Sequence, residues 1–131
     1  MNFGRIGTFC AAALFAGQAS ATTLDCALNP GADTGGWVTK RYVFEVDEAA
    51  QTAQAVDAIV QHFNGGPIAA RMTDSTAKKL VISWDVQMTN DAGQQTRMHY
   101  RAAIFKADKT IILRAVPSGY NNNFEARGKC K

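Results

Sequence analysis

The chain has 131 residues, of which 19% are charged, and 14 Lys and Arg against 11 Asp and Glu leave a net charge of +3. This length fits one domain. So small a basic surplus argues against nucleic-acid binding, which requires clustered basic patches. The adjacent pairs Lys40-Arg41 and Lys78-Lys79 are interpreted as solvated surface.

Residues 1–21 have the order of a secretory signal peptide. A short start with Arg5 is followed by an apolar run over 6–16 and by Ala19-Ser20-Ala21, a small-x-small cleavage site. The apolar run is about half of the roughly 20 residues that a bilayer span needs. We therefore expect a removed leader, and a single periplasmic or secreted domain over 22–131 with no membrane span.

The positions of the cysteines predict a disulfide between the two ends of that domain. Cys10 falls in the leader, and Gly7-Thr8-Phe9 before it lacks the context of a lipoprotein attachment site. Cys26 and Cys130 remain near the two ends of the domain, and an even pair in an exported protein indicates a disulfide. Free thiols or a metal site are the alternatives, but two Cys without nearby partners make a poor zinc site. The disulfide requires both termini to meet at one edge of the fold.

The chain begins its period-2 pattern after a turn-rich segment at 29–36. In 38–46 the apolar residues share one face, which is typical of a half-buried strand. Two templates fit 48–63. Apolar residues at helical spacing, with Asp47 as cap and Asn64-Gly65-Gly66-Pro67 as exit, predict a helix. Alternatively, a turn after Asp47 returns a strand against 38–46. Local propensity favours the helix.

The later segments alternate more clearly. Residues 68–73 and 80–88 are predicted strands, and Asn90-Asp91-Ala92-Gly93 is a predicted hairpin turn. Two further strands follow up to Pro117, and a last strand at 124–130 would carry Cys130 inward. If Asn90 pairs with Gln94, Trp84 faces Tyr100, Asp85 faces His99 and Ser83 faces Arg101. About seven short strands predict an all-β fold, a single antiparallel sandwich or flattened barrel.

Several motifs carry a family resemblance: Tyr42-Val43-Phe44-Glu45-Val46-Asp47, Gln61-His62-Phe63-Asn64-Gly65-Gly66-Pro67-Ile68, the Trp84 strand, and Gly119-Tyr120-Asn121-Asn122-Asn123-Phe124 with Ala126-Arg127-Gly128-Lys129-Cys130. In these motifs the chain resembles a group of small secreted or periplasmic bacterial proteins whose function is not characterised. The counterpart of 50–57 in that group is more β-branched and ends in an Asp-led turn, which implies a strand over 51–57. The resemblance brings no catalytic signature.

The sequence contains no strong catalytic or cofactor motif, and we predict no cofactor and no metal. Ser83, Asp85, His99 and Arg101 would share one outer face of the central hairpin, and an Asp-oriented His is the start of a general base. A nucleophile also needs a cleft and an oxyanion hole, which strand faces seldom supply. We interpret this group as a polar sheet face, and His62 as a packed or turn-bonded histidine.

Two surface features are candidates for recognition. The loop with Tyr120, Asn121, Asn122 and Asn123 combines good turn chemistry with an aromatic and amides that suit a ligand or partner. Alternatively, Tyr120 packs over the end of the barrel. The second candidate is a stripe with the basic residues Arg97, Arg101 and Arg114 and the apolar residues Phe105 and Ile112. It suits an acidic partner or is a solvated face, and its apolar members hint at partial cover by a second sheet, a loop or another subunit.

The leading hypothesis is a non-catalytic binding module for an unidentified protein or small molecule. Its candidate binding residues are Tyr120, Asn121, Asn122, Asn123, Arg97, His99 and Arg101. The alternatives are a small hydrolase that uses His99 with Asp85, or His62, and an envelope structural protein whose outer face self-associates.

Overall fold

Eight antiparallel strands follow one another around a closed barrel, and the last strand pairs with the first. The computed structural model describes residues 21–89 and 92–131. The strands are β1 (Thr22–Asn29), β2 (Arg41–Asp47), β3 (Thr52–Val56), β4 (Ile68–Ser75), β5 (Lys79–Thr89), β6 (Gln95–Phe105), β7 (Thr110–Pro117) and β8 (Phe124–Cys130). A 3-10 helix, Ala32–Thr34, lies between β1 and β2, and the helix α1, Ala58–Asn64, lies between β3 and β4.

The predicted all-β antiparallel fold is confirmed, with one more strand than the seven segments identified from the sequence. The additional strand is β1, which pairs with both β2 and β8. The predicted hairpin register is also confirmed, because Trp84 faces Tyr100 and Asp85 faces His99 across β5 and β6. Residues 1–20 of the predicted leader, which include Cys10, and the turn residues Asn90 and Asp91 lie outside the described residues.

The two templates for 48–63 each describe one part of that segment. The strand prediction is confirmed for β3, which pairs with β2 on one side and β4 on the other. The helix begins only at Ala58, where the Asp57 carboxylate accepts a hydrogen bond of 2.8 Å from the Val60 N–H. It ends at Gly65 in the left-handed conformation, φ 78°. The predicted helix with Asp47 as its cap is therefore wrong. The backbone hydrogen bonds of β3 to β2 and to β4 outweigh the helical propensity of the alanines.

The predicted Cys26–Cys130 disulfide is present and joins facing residues of β1 and β8. Both cysteines are buried. Backbone hydrogen bonds continue this pairing beyond the bridge, because the N–H of Asp25 and the N–H of Lys131 each donate to the other residue's carbonyl, at 3.0 and 2.9 Å. We call the β1–β8 pairing the seam, since it converts an open sheet into a barrel.

Aromatic rings fill the middle of the barrel around Trp84. Its ring stacks on Tyr100 at 5.4 Å between centroids and meets Phe44 edge-on at 5.4 Å, and Tyr42 lies 6.0 Å away. Burial raises the pKa of Tyr42 and of Tyr100, so both hydroxyls stay protonated. The Tyr100 hydroxyl donates a hydrogen bond of 2.8 Å to the Trp37 carbonyl. Side chains thus occupy the centre of the barrel, as an eight-stranded diameter permits.

The Trp84 indole N–H has no hydrogen-bond partner among residues 21–89 and 92–131. Trp84→Phe should therefore lose packing but no hydrogen bond. We expect a decrease of about 1–2 kcal/mol in the free energy of unfolding, below the roughly 3–5 kcal/mol of an aromatic replaced by alanine. Urea denaturation followed by circular dichroism measures both variants. Equal losses for Trp84→Phe and Trp84→Ala would contradict this account of the indole.

Candidate functional site

The outward face of β6 presents the predicted binding residues Arg97, His99 and Arg101 to solvent. They alternate with Met98 and Tyr100, which point into the core. Side chains alternate between the two faces of a strand, so the polar residues of β6 are exposed and the apolar residues between them are buried.

In the part of the chain that the structure describes, two of these three side chains are cations without a salt-bridge partner. Among the described residues, neither Arg97 nor Arg101 forms a salt bridge, whereas Arg114 contacts Glu125 at 2.9 Å. Within residues 21–89 and 92–131, the predicted basic stripe thus consists of two arginines without a salt bridge and one, Arg114, that has a partner. Guanidinium groups bind carboxylates through paired N–H donors, so a free arginine on a rigid strand suits an anionic partner group.

The predicted Asp85–His99 pair is formed. His99 Nδ1 lies 2.5 Å from Asp85 Oδ1, and Arg71 contacts the other carboxylate oxygen at 3.4 Å. Partial burial tends to raise the pKa of Asp85, but the hydrogen bond and charge of His99, together with Arg71, hold that pKa below its usual value. Asp85 is therefore ionised at neutral pH and holds His99 and Arg71 in place on the barrel wall.

A nucleophile for His99 is not assembled in the described residues. Ser83 faces Arg101 on β6 and Arg71 on β4, and no hydrogen bond joins it to His99. His62 lies on α1 with its ring edge-on to Phe63 at 4.7 Å between centroids. No group of three or more His, Cys, Asp and Glu side chains within 21–89 and 92–131 could hold a metal ion.

Tyr120 lies in the β7–β8 loop and is the most exposed of the large hydrophobic residues described, at 64%. The alternative prediction, that Tyr120 packs over the end of the barrel, is therefore wrong. The preceding turn holds it outward, because the Ser118 N–H donates to the Arg97 carbonyl at 2.8 Å and the Tyr120 N–H donates to the Pro117 carbonyl at 3.3 Å. Gly119 supplies the left-handed conformation of this turn, φ 83°.

A surface depression of about 590 Å³ brings Tyr120 and Arg97 together at one end of the barrel. Apart from Gly119, its other lining residues carry amide and hydroxyl groups: Gln87, Gln95, Thr96 and Ser118. Asn121, Asn122 and Asn123 are exposed in the same loop but do not line the depression. His99 and Arg101 lie further along β6, also outside it.

A second depression, of about 340 Å³, adjoins the first between α1 and the barrel wall. Phe63, Asn64, Ile68 and Asp85 contribute to its lining, and Gln87 and Arg97 line both depressions. We call the two together the β5–β6 groove. Arg97 is shared by both depressions, and each also has an aromatic residue in its lining, Tyr120 in the first and Phe63 in the second.

Sequence patterns alone did not identify the amide and hydroxyl members of the groove. Gln87 and Gln95 occupy outward positions on β5 and β6, and the alternation of polar and apolar residues in these strands predicts that orientation. Phe63 and Asn64 could not be found this way, because their place beside β5 depends on how α1 returns across the barrel.

Part of the apolar outer face is buried. Val81, Ala103 and Ile112 form a row across β5, β6 and β7, and the first two are buried although they point outward. Phe105 stays 37% exposed. The described residues hold one closed sheet and no second sheet over this face; cover by another subunit stays a prediction.

The fold and the site together define a small disulfide-closed antiparallel barrel with a polar groove on its outer wall. Comparison with protein-family models, curated proteins and solved structures finds no match to this chain. No helix in the described part of the chain is long and apolar enough to cross a membrane.

Proposed function

We propose that this chain is an exported, non-catalytic binding module that holds an acidic segment of a partner protein in the β5–β6 groove. The observation that carries the proposal is the position of Arg97, an exposed arginine that lines both depressions and has no salt-bridge partner among the described residues. An acidic segment would supply the carboxylate that this guanidinium lacks.

The surroundings of Arg97 support an extended peptide rather than a small molecule. The groove is open to solvent, and its two depressions place Phe63 and Tyr120 in the linings on either side of the shared residues Gln87 and Arg97. Aromatic and arginine side chains are enriched where proteins contact one another. Gln87 and Gln95 can both donate to and accept from a peptide backbone. Arg101, also unpaired within the described residues, extends the positive charge along β6.

The Asp85–His99 pair has a positioning role in this proposal. It bonds β5 to β6 on the outer wall and aligns Arg71 beside the groove. A hydrolase would need a nucleophile near His99, and Ser83 is instead flanked by arginines on both neighbouring strands. These contacts support binding over catalysis.

Arg97→Gln is expected to weaken binding of an acidic peptide by about tenfold, equivalent to about 1.4 kcal/mol, because a charge-assisted pair is lost. The measurement is an NMR titration with a Glu- and Asp-rich peptide, and with its Gln and Asn counterpart as the neutral control. In the wild type, the amide signals of Gln87, Arg97 and Tyr120 should shift with the acidic peptide only. The affinity should fall as salt is added.

Arg41→Gln is the matched control for this prediction. Arg41 is an exposed arginine, but it pairs with Asp25 at 2.9 Å on a distant part of the wall. Its loss should leave peptide affinity unchanged. The proposal fails if both variants bind equally well, or if the shifted signals lie away from the groove.

A further inference from the structure

The barrel end opposite the β5–β6 groove contains a second recess, formed where β1 and β5 begin and β2 and β6 end. It has a volume of about 150 Å³. Four aliphatic side chains from these four strands line it: Leu24, Val46, Leu80 and Ile104. Val46, Leu80 and Ile104 are at most 3% exposed, whereas Leu24 is half-buried and stands at the opening. We call this recess the mouth pocket.

Charged groups surround the mouth pocket. Lys106, Lys109 and Glu48 contribute to its lining. Glu48 is already neutralised, since its Oε1 lies 2.6 Å from the Lys106 Nζ and accepts a hydrogen bond of 2.6 Å from the Ser75 hydroxyl. Lys109 has no acidic partner among the described residues. Within the described residues, the rim therefore carries one positive charge without an acidic partner, above an apolar interior.

We propose that the mouth pocket binds a small aliphatic carboxylate of about six carbons, tail inward and carboxylate at Lys109. The volume is that of an apolar cavity which holds a benzene-sized guest. The aliphatic lining would release water when it receives the tail, and the lysine would pair with the head group. This site is independent of the groove, from which the length of β5 and β6 separates it.

Lys109 is also the residue best suited to a test. Its backbone is left-handed, φ 59°, a conformation that glycine adopts more readily than lysine. Lys109→Gly therefore removes the charge without backbone strain, and it keeps the Lys109 carbonyl, which accepts a hydrogen bond of 2.8 Å from the Cys130 N–H. A change at Lys106 would be less informative, because it would leave Glu48 without its cation.

The experiment is an NMR titration of the chain with hexanoate up to about 20 mM, a range that detects millimolar binding. The expected result is a saturating shift of the Leu24, Leu80 and Ile104 signals. Because each buried methylene raises affinity about fourfold, butanoate, which is two methylenes shorter, should bind about fifteenfold more weakly. Hexylammonium, which has the same number of carbons and the opposite charge, should also bind at least about tenfold more weakly.

Two variants decide whether the pocket and the lysine are responsible. Lys109→Gly should reduce hexanoate affinity about fivefold or more, whereas Lys40→Gln, a lysine lost at the other end of the barrel, should leave it unchanged. The proposal is overturned if hexanoate causes no saturating shift. It is also overturned if the shifts fall outside the mouth pocket, or if hexylammonium binds as well as hexanoate.

Discussion

Replacing Cys26 and Cys130 together by alanine is expected to lower the free energy of unfolding by about 2–5 kcal/mol. The bridge spans 104 residues of sequence, and in the chain-entropy account a loop of about 100 residues contributes up to roughly 4.7 kcal/mol. It also joins the two strands that close the barrel. Its loss therefore acts on the unfolded chain and on the seam together.

The native fold should survive this change, because the β1–β8 ladder keeps its backbone hydrogen bonds on both sides of the bridge. Urea denaturation of the oxidised wild type and of the double variant measures the loss. Wild type treated with a reductant is the control, and its stability should fall into the same range. A loss below about 1 kcal/mol would contradict the prediction, as would free alkylation of both sulfurs before reduction.

Gly128→Ala is expected to cost about 3 kcal/mol or more, at the upper end of the range for overpacking. Gly128 lies on β8 opposite Leu28 of β1. An added methyl would fall on the Ala27 carbonyl oxygen and lie 2.7 Å from the Leu28 Cα. These are backbone atoms of the neighbouring strand, so no side-chain rotation can relieve the contact.

The disulfide makes this clash harder to relieve. Cys130 is two residues from Gly128 and fixes β8 against β1 at the bridge. The two strands can separate at Gly128 only if the covalently tied part of the seam also bends. We therefore expect Gly128→Ala to disrupt the seam itself, with loss of protection from hydrogen exchange in β1 and β8 before the β5–β6 hairpin.

Gly66→Ala is the matched control for this substitution. Gly66 has no atom within 4 Å of the added methyl position and does not adopt a positive φ. Its replacement should change stability by at most about 0.5 kcal/mol. Chemical denaturation of the two variants tests the comparison. Similar midpoints for both would mean that the approach of β1 and β8 at Gly128 is looser than described.

Much of the strand pattern was predictable because alternation is a local property. Apolar and polar residues alternate within 80–88 and within 97–105, and the short turn between the two segments fixes the register in which the strands pair. The pairs Trp84–Tyr100 and Asp85–His99 followed from those two facts. The strand β1 was missed, although Leu24, Cys26 and Leu28 alternate in the same way.

The segment 48–63 shows where local pattern was insufficient. Its apolar residues fit both a helical and an extended period, so neither template could be rejected from sequence. Pairing with β2 and β4 selected the strand for 52–56, and the Asp57 cap then began the helix. The candidate site was likewise predictable only in part. The outward position of Arg97 followed from alternation, whereas the pairing of Arg114 with Glu125 depended on β7 and β8 lying side by side.

The sequence by itself determined the all-β character, the hairpin register and the two cysteines available for a bridge, since these depend on residue types and on spacing along one or two strands. Only the tertiary structure decided that β8 returns to β1, that Arg97 and Tyr120 share a groove with α1, and that four strands leave a recess above the aromatic core. The physical reason is that closure, groove and recess arise between residues far apart in the chain. Their positions depend on which strands pair and how they pack, and the alternation of residues along a single strand does not predict this.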